Sequence, residues 1–421
     1  MNVLILGSGG REHALAWKIK KSAHCKDLFI APGNAGTSQI GKNIDLSLDD
    51  FDAIAKFISK KKIDMVIVGP EGPLVNGIED FLVDNTKAII IGPSQKGAKL
   101  EGSKKFAKKF MRKNHIPTSG YQAFTADELK KAEQFIYMHS SPTVLKADGL
   151  AAGKGVLIIK DKDKAVSELN KMFAGKFGDA GKTVVIEQFL KGLEFSVFVL
   201  TDGQDWITLP VAKDYKRIGE KDKGLNTGGM GAVSSPPFVD GTLMTKVEKR
   251  IIQPTIKGLR KAGIRYNGFL FFGLIRVGVD PYVIEYNCRL GDPETQAILP
   301  RLKNDLLELF IAMDEGTLKK QEVKTIEDIT TTVIMASKGY PESYDSGKVI
   351  EFEEPSPDDV HVFHAGTKAK NGDVLTNGGR VLAVTGIGAS HQDAKKKANK
   401  YAKKIKFEGK YYRKDIGFDL K

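Results

Sequence analysis

Cysteine is nearly missing from this chain: only Cys25 and Cys288 occur in 421 residues. Two thiols cannot build a disulfide framework, so a stapled, oxidised scaffold is excluded and a reducing cytoplasm is the expected compartment. No stretch approaches the roughly 18 consecutive apolar residues of a membrane helix, so no membrane partner is expected. The opening MNVLILGSGG has no basic lead-in and closes on glycines, which reads as a first strand and its turn and not as a signal peptide. Zinc-knuckle spacing, an aromatic-basic platform, a fixed-period repeat and a low-complexity linker are all lacking. His13, His361 and His364 have no serine or cysteine in a nucleophile-elbow setting, so a catalytic triad is not supported and the three are expected to be structural.

What is present is apolar substance and positive charge. Hydrophobic residues make up 41%, enough for a large core, and the length suggests about two to four domains. The formal charge of +13 suits either nucleic acid or small anionic substrates. Much of it is lysine on helix-like segments such as AKKKANKYAKKIK at 394–406, where basic and apolar positions alternate as on a solvated helix face. Nothing in the motif set supports nucleic acid as a partner. Cys288 is expected to be a small buried thiol.

Along the first hundred residues, NVLILG, DLFIAPG, DMVIVGPEGPL and KAIIIGPS each end in a Gly- or Pro-rich turn, with amphipathic stretches between them. Short apolar strands alternating with helical patterns indicate βαβ units and a parallel sheet, whose carboxyl-end turns form one rim of a ligand site. From about residue 100, AKLEGSKKFAKKFMRKNHIPTSGY reads as one basic amphipathic helix halted near Pro117. A β-rich part follows, in which FLFFGLIRV and YVIEYN read as adjacent strands of a second sheet. After Glu322 comes a third region of strands, closed by the basic helix.

Three glycine-rich loops invite phosphate. GSGGREH at 7–13 sits where a dinucleotide fingerprint would, but Glu12 stands where the third glycine is needed, so it is a weak signal for NAD. Gly7, Gly9 and Gly10 would still let backbone amides approach a phosphate at a helix start, and a plain tight turn is the other reading. KADGLAAGKGV at 146–156 is not a P-loop, because Gly155 replaces the hydroxyl residue that would meet magnesium. Its composition fits a hairpin folding its amides over a polyphosphate, with Lys146 pointing into the same space. GLNTGGMGAV at 224–233, with Asp214, Lys216, Arg217, Asn226 and Thr227 close by, suggests a mobile anion-binding loop.

The most informative stretch is VIEYNCRLGDPETQ at 283–296. In an extended strand Glu285, Asn287 and Arg289 share one face, with Ile284 and Tyr286 packing behind. A carboxylate and an amide oxygen two residues apart are hard ligands suited to Mg²⁺. Arg289 adds a forked donor for a carboxylate or phosphate, and Asp292 and Glu294 in the turn add further polar contacts. Buried charge without a partner is costly, so a chance polar face on a core strand is a poor account.

In their order and spacing, GSGGREHA, APGNAGT, GPEGPL, LEGSKKFAKKFM, KADGLAAGKGV, DYKR, NTGGMGA, EYNCRLGDPETQ, HAGT, GGRVLAVT and RKDIG resemble the ATP-grasp ligases and, within them, the glycinamide ribonucleotide synthetase family, over essentially the whole chain. The resemblance implies an α/β and α+β architecture: an N-terminal parallel-sheet, Rossmann-like domain (1–100), a central ATP-grasp domain (101–322) with a mobile lid subdomain at about 118–190, and a small β-rich C-terminal domain (323–421). It implies an ATP-dependent ligase joining glycine to 5-phosphoribosylamine through a glycyl phosphate, giving glycinamide ribonucleotide, ADP and phosphate in de novo purine biosynthesis. Mg²⁺ is the implied ion, with Mn²⁺ as an alternative, and a monomer is expected.

Carried over by the same resemblance, Lys104 and Lys146 contact ATP, and Gly149, Gly153 and Gly155 belong to the mobile loop. Glu187 to Leu190 form the hinge that reads adenine, and Glu194 holds the ribose hydroxyls. Glu285 and Asn287 match the magnesium ligands. Asp214, Lys216, Asn226, Thr227, Arg289 and Asp292 are similar to residues at the substrate end. The N-terminal loops, with Gly9, Gly10 and Arg11, are expected to hold the phosphoribosyl part. The family commonly has Gly-Glu-Glu where this chain has Gly192, Leu193 and Glu194. Ribose binding is expected to survive, while any role of the first glutamate is absent.

Other readings fit fragments only. An ATP-grasp ligase with a different carboxylate and amine shares the core motifs. An NAD-dependent dehydrogenase would rest on the first sheet, against the evidence of Glu12, and a nucleic-acid-binding protein would rest on charge alone.

Overall fold

The computed structural model describes residues 1–151 and 155–420. Asn2–Gly7, Asp27–Pro32, Met65–Val68 and Ile89–Pro93 form a parallel array in which the first strand lies between the second and third. Alternation along these strands feeds two cores at once. Leu4, Leu6, Val66 and Val68 pack with Ile54 and Ile58 on one face, while Val3, Ile5, Met65 and Ile67 pack with Leu15 and Ile19 on the other. A strand covered on both sides has no polar face to show, which is why these segments read as unbroken apolar runs.

The array does not stop at Ile89–Pro93. The twelve-residue strand Tyr266–Val277 pairs antiparallel to it through Tyr266 with Pro93 and Asn267 with Gly92, so one nine-stranded sheet runs from the N-terminal part into the centre of the molecule. Leu193–Thr201 and Asp280–Asn287 flank Tyr266–Val277 as antiparallel partners. The adjacency expected of FLFFGLIRV and YVIEYN is present, but they extend the first sheet and do not form a second one, because Tyr266 and Asn267 pair with the edge of the parallel array.

The basic helix expected from about residue 100 is two helices, Gln95–Gly102 and Lys104–Lys113. Ser103 between them is extended, and its hydroxyl accepts from the Phe106 amide as an N-cap. Hydrophobic periodicity runs through such a joint unbroken, so the pattern alone misses it. The second helix ends before Pro117.

A separate four-stranded antiparallel sheet, in the order Tyr121–Thr125, Thr183–Gln188, Thr143–Ala147, Val156–Ile159, carries helices Leu129–Met138 and Lys162–Lys171 around its own core of Phe124, Ile136, Leu145, Leu169 and Ile186. The last sheet is built on Ile329–Ala336, Val360–His364 and Arg380–Gly388, and it recruits Gly231–Ser234 and Lys213–Asp214 from the middle of the chain. The basic helix His391–Lys404 buries Ala394, Ala398, Tyr401 and Ala402 against this sheet and turns its lysines outward. No helix among the described residues is long and apolar enough to cross a membrane.

Helix Gly10–Ile19 touches the C-terminal sheet through histidine. The His364 amide donates to His13 Nδ1 at 2.8 Å, and His361 packs against Trp17. Burial pushes His13 down to about 3, and His361 and His364 each to about 4. A histidine with a lowered folded pKa contributes stability that is present above its ordinary pKa of 6.5 and lost as pH falls toward the folded value. Each of the three therefore costs up to about 2 kcal/mol by pH 5. The melting temperature is expected to drop steeply between pH 6.5 and 4.5. A flat profile across that window, followed by circular dichroism, would contradict the neutral, buried placement.

Candidate active site

Two hollows lie on either side of the turn Gly291–Glu294. One is a cleft lined by Glu194, Ser196, Asp214, Lys216, Ile284 and Glu285, and the other is a cavity between the N-terminal loops and the C-terminal sheet.

The cleft is built around the end of Asp280–Asn287. The pairing of this strand with Tyr266–Val277 slips between Gly273 and Leu274: Leu274 faces Val283, and Gly273 faces Glu285. Ile284 is thus the extra residue of a bulge, and it lines the cleft beside Glu285 instead of packing behind as strict alternation predicts. Tyr286 is buried as expected, and Asn287 ends the strand. Among the described residues, neither Glu285 nor Asn287 has its side-chain oxygens taken by a hydrogen bond or an ion pair. Two hard oxygen donors left free at a strand end, with lysines nearby, fit a Mg²⁺ ion that keeps phosphates and waters as its other ligands.

The lysines arrive from two directions. Lys104 opens helix Lys104–Lys113 and donates to the Gly149 carbonyl at 2.9 Å; Asp148 in turn accepts from Ser103 and from the Lys105 amide, tying the root of the glycine loop to that helix start. Burial lowers the Lys104 ammonium while Glu285 opposes the shift. Lys146 donates to the Ile284 carbonyl at 3.2 Å, one residue from Glu285. Gly155 closes the loop by accepting from the Ala147 amide. Gly153, expected among the nucleotide contacts, lies outside the described residues.

The Glu187 carboxylate, at the start of the expected hinge segment, is engaged by cations. It is buried between Lys146 at 3.0 Å and Lys108 at 2.8 Å, and it accepts from Ser119 at 2.7 Å. Burial by itself would raise its pKa, but Lys146 and Lys108 outweigh that and hold it below the ordinary range. Lys108 was not singled out in the sequence, because one lysine among many in KKFAKKFMRK carries no mark of being 2% exposed. Burial pushes Lys108 down to about 8. Leu190 is half-buried between this strand and Leu193–Thr201.

On the far wall, Lys216 lies 3.2 Å from Glu194 and 3.5 Å from Asp214. Desolvation works against its charge, yet Asp214, Glu194 and Glu285 together hold its pKa well above the ordinary lysine value. Lys216 keeps Glu194 ionised, lowering its pKa. Asn226 ends a short hairpin strand opposite Arg217. The Thr227 hydroxyl is committed to its own turn, donating to the Lys216 carbonyl and accepting from the Gly229 amide. Behind them Glu294 lies against Ser196, its carboxyl pushed up to about 7 by burial and then by Asp214. A carboxyl with that affinity exchanges its proton near neutral pH. The sequence marks Glu294 only as a further polar contact of the turn, and its burial beside Asp214 has no signal there.

Arg289 stands beyond the strand, and its fork is already taken: Nε by Glu71 at 3.1 Å and Nη2 by Glu101 at 2.6 Å. It therefore joins the turn to the first sheet and does not present a free guanidinium beside Glu285. Cys288 is buried, with its amide on Glu101. Arg11 and Arg289 hold Glu71 down at about 2 despite its burial.

The second hollow measures about 590 Å³ and is lined by Ser8 and Gly9, Gly33 and Asn34, Asp292, and residues 365–369 with Asn377 and Arg380. Gly9 reaches it, whereas Gly10 and Arg11 do not line it. Arg11 turns to Glu12 and the Leu290 carbonyl, and the Gly9 amide is already donated to the Glu12 carboxylate at 2.6 Å. Glu12 is folded over the end of the first strand, where a Cβ on Gly7 or Gly69 would strike it. It fills the place a pyrophosphate would need, which removes the dehydrogenase reading. Lys368, Asn377 and Arg380 went unmarked in sequence because they converge on Gly9 only through the fold.

Residues 1–101 match the phosphoribosylglycinamide synthetase N domain, 102–295 its ATP-grasp (A) domain and 330–419 its C domain. The chain is 44% identical over 423 residues to the phosphoribosylamine–glycine ligase of Vibrio vulnificus (strain CMCP6), covering 99% of this chain and 98% of that one. It is 46% identical over 423 residues to a bifunctional purine biosynthetic protein of Pichia angusta, with 99% of this chain covered, and spans only 53% of that relative's length. The crystal structure of the phosphoribosylamine–glycine ligase from Thermotoga maritima superposes with a TM-score of 0.85 at 36% identity, covering 99% of this chain and 100% of that one. At 15% identity and a TM-score of 0.74, the biotin carboxylase domain of a Hydrogenobacter thermophilus 2-oxoglutarate carboxylase, solved with MgADP and bicarbonate, shares the fold; 98% of this chain and 91% of that one are covered.

Proposed function

This chain belongs to the phosphoribosylglycinamide synthetase family, and we propose that it joins glycine to 5-phosphoribosylamine at the expense of ATP, forming glycinamide ribonucleotide, ADP and phosphate. The observation that carries this reading is the pair of hollows sharing one turn. Glu285 lines the cleft at the start of EYNCRLGDPE, and Asp292 lines the cavity at its end.

In this assignment residues 101–322 hold ATP in the cleft, and the loops of 1–100 together with 323–421 hold the phosphoribosyl group in the cavity. Lys104 and Lys146 meet the phosphates, Glu194 meets the ribose, and Glu285 with Asn287 ligate Mg²⁺. The metal supplies charge neutralisation on the phosphates. A glycine carboxylate oxygen attacks the γ-phosphorus and ADP departs, leaving glycyl phosphate. The amine nitrogen then attacks the acyl carbon, expels inorganic phosphate and loses a proton. Positioning and charge compensation carry most of the acceleration in such a transfer, so cationic lysines matter more than a strong base. The lid keeps water from the acyl phosphate.

The test is ADP release from the purified protein with ATP and Mg²⁺, given glycine alone, freshly generated phosphoribosylamine alone, and both. Release only with both, matched by an equal amount of amide, is the expected result. Release with a different carboxylate and amine would keep the ligase core and remove the substrates. Silence from folded protein would remove the reading altogether.

A further inference from the structure

We infer that Arg380 and Tyr340 are positioning residues that couple the two hollows, so that filling the larger cavity tightens nucleotide binding in the cleft. The inference rests on the substrate assignment above and adds a device that the assignment does not require.

Both side chains line the cavity, and both also grip the turn that leads to the cleft. Arg380 Nη1 donates to the carbonyls of Gly228 at 2.8 Å and Asp292 at 2.6 Å, and Nη2 lies 3.4 Å from the Asp292 carboxylate. The Tyr340 hydroxyl accepts from the Gly228 amide at 3.0 Å. Gly228 is thus held at both its N–H and its C=O by the wall of the cavity. Gly229, the next residue, has φ +118° and packs so closely on Pro293 that a Cβ would come within 2.5 Å of its ring. Only glycine accepts that backbone without strain.

From Gly229 the contacts continue without a gap. Its amide donates to the Thr227 hydroxyl at 2.9 Å, and that hydroxyl and the Thr227 amide both donate to the Lys216 carbonyl. The Lys216 ammonium pairs with Glu194. An anionic occupant drawing on the Arg380 guanidinium competes with Gly228 and Asp292 for its protons. The arrangement of residues 226–229, and through it Lys216 and Glu194, then depends on whether the cavity is filled. Coupling of this kind is a difference in binding free energy and is reciprocal between the two ligands.

The experiment measures MgADP affinity of the full chain by calorimetry, with and without saturating ribose 5-phosphate, which lacks the amine and cannot react. In the wild type, ribose 5-phosphate is expected to tighten MgADP about fivefold, and MgADP to tighten ribose 5-phosphate by the same factor. Tyr340→Phe keeps the ring and loses the acceptor for Gly228, and Arg380→Gln loses the fork. Each is expected to bring the factor below about twofold, with ribose 5-phosphate held at saturation for each variant. A wild type that binds ribose 5-phosphate but shows no such tightening, or equal factors in all three proteins, would overturn the coupling alone. Failure of the wild type to bind ribose 5-phosphate at all would overturn the cavity assignment and the coupling with it.

Discussion

Glu285→Ala is expected to lower turnover by on the order of 10³-fold while leaving the protein folded. Glu285 is half-buried and makes no ion pair within 4 Å among the described residues, so its removal opens no large cavity and leaves none of them stranded. Its work is electrostatic. It opposes the desolvation of Lys104, helps to hold Lys216 charged, and offers a free carboxylate beside the Asn287 amide. Glu285→Gln keeps the shape and loses the charge, and should fall nearly as far. Asn287→Ala, which removes a neutral ligand, should cost less. Raised Mg²⁺ should restore part of the activity in Asn287→Ala and little in Glu285→Ala. Steady-state ADP release across a Mg²⁺ titration measures all three, and undiminished turnover of Glu285→Ala would sink the metal assignment.

Glu187→Ala is expected to be the most destabilising single change in the cleft, by about 3–5 kcal/mol. It strands two ammonium groups, Lys108 and Lys146, each under 5% exposed. That is a large share of the roughly 5–15 kcal/mol by which folded domains exceed their unfolded states. The loss should concentrate in the lid, whose sheet has a core of its own and is linked to helix Lys104–Lys113 through this cluster. It should also depend on pH in a stated direction. Lys108 is already lowered to about 8 in the intact cluster, against an ordinary 10.5. A lysine with a depressed folded pKa penalises the native state at low pH, and the penalty is relieved as pH rises through the folded value. Urea denaturation should therefore show a smaller defect at pH 9 than at pH 7. Glu187→Leu combined with Lys108→Met should be less damaging than Glu187→Ala, because an apolar pair leaves one buried charge fewer without a partner. Equal defects at both pH values would mean that the cluster is held by packing and not by charge.

Much of this protein was legible in advance. The parallel array in residues 1–100 follows from apolar runs ending in glycine turns, and its strands are buried on both faces as such runs require. Glu285 and Asn287 were recognisable because polarity at the end of a core strand needs a reason. Glu12 was recognisable because its position in a glycine fingerprint admits one residue type. What escaped were groups whose meaning is a partner. Lys108 is one lysine of a basic helix until Glu187 is beside it, and Glu294 is an ordinary glutamate until burial and Asp214 raise its pKa. Arg289 offered a fork to any anion in sequence; in space Glu71 and Glu101 have taken it. Ile284 failed the alternation rule because a bulge, invisible without the partner strand, inserts one residue there.

The sequence by itself determined the local elements, the chemistry available and the order in which it is laid along the chain, since each depends on neighbours a few residues away. Only the tertiary structure decided which charges are satisfied and which stay free, because that depends on pairs such as Arg289 with Glu71 or Arg380 with Gly228, which stand 218 and 152 residues apart. The cavity is the plainest case. Its walls come mostly from the two ends of the chain, and nothing in Gly9 or in Arg380 says that they face each other until helix Gly10–Ile19 packs on the C-terminal sheet and the turn at Asp292 bridges them.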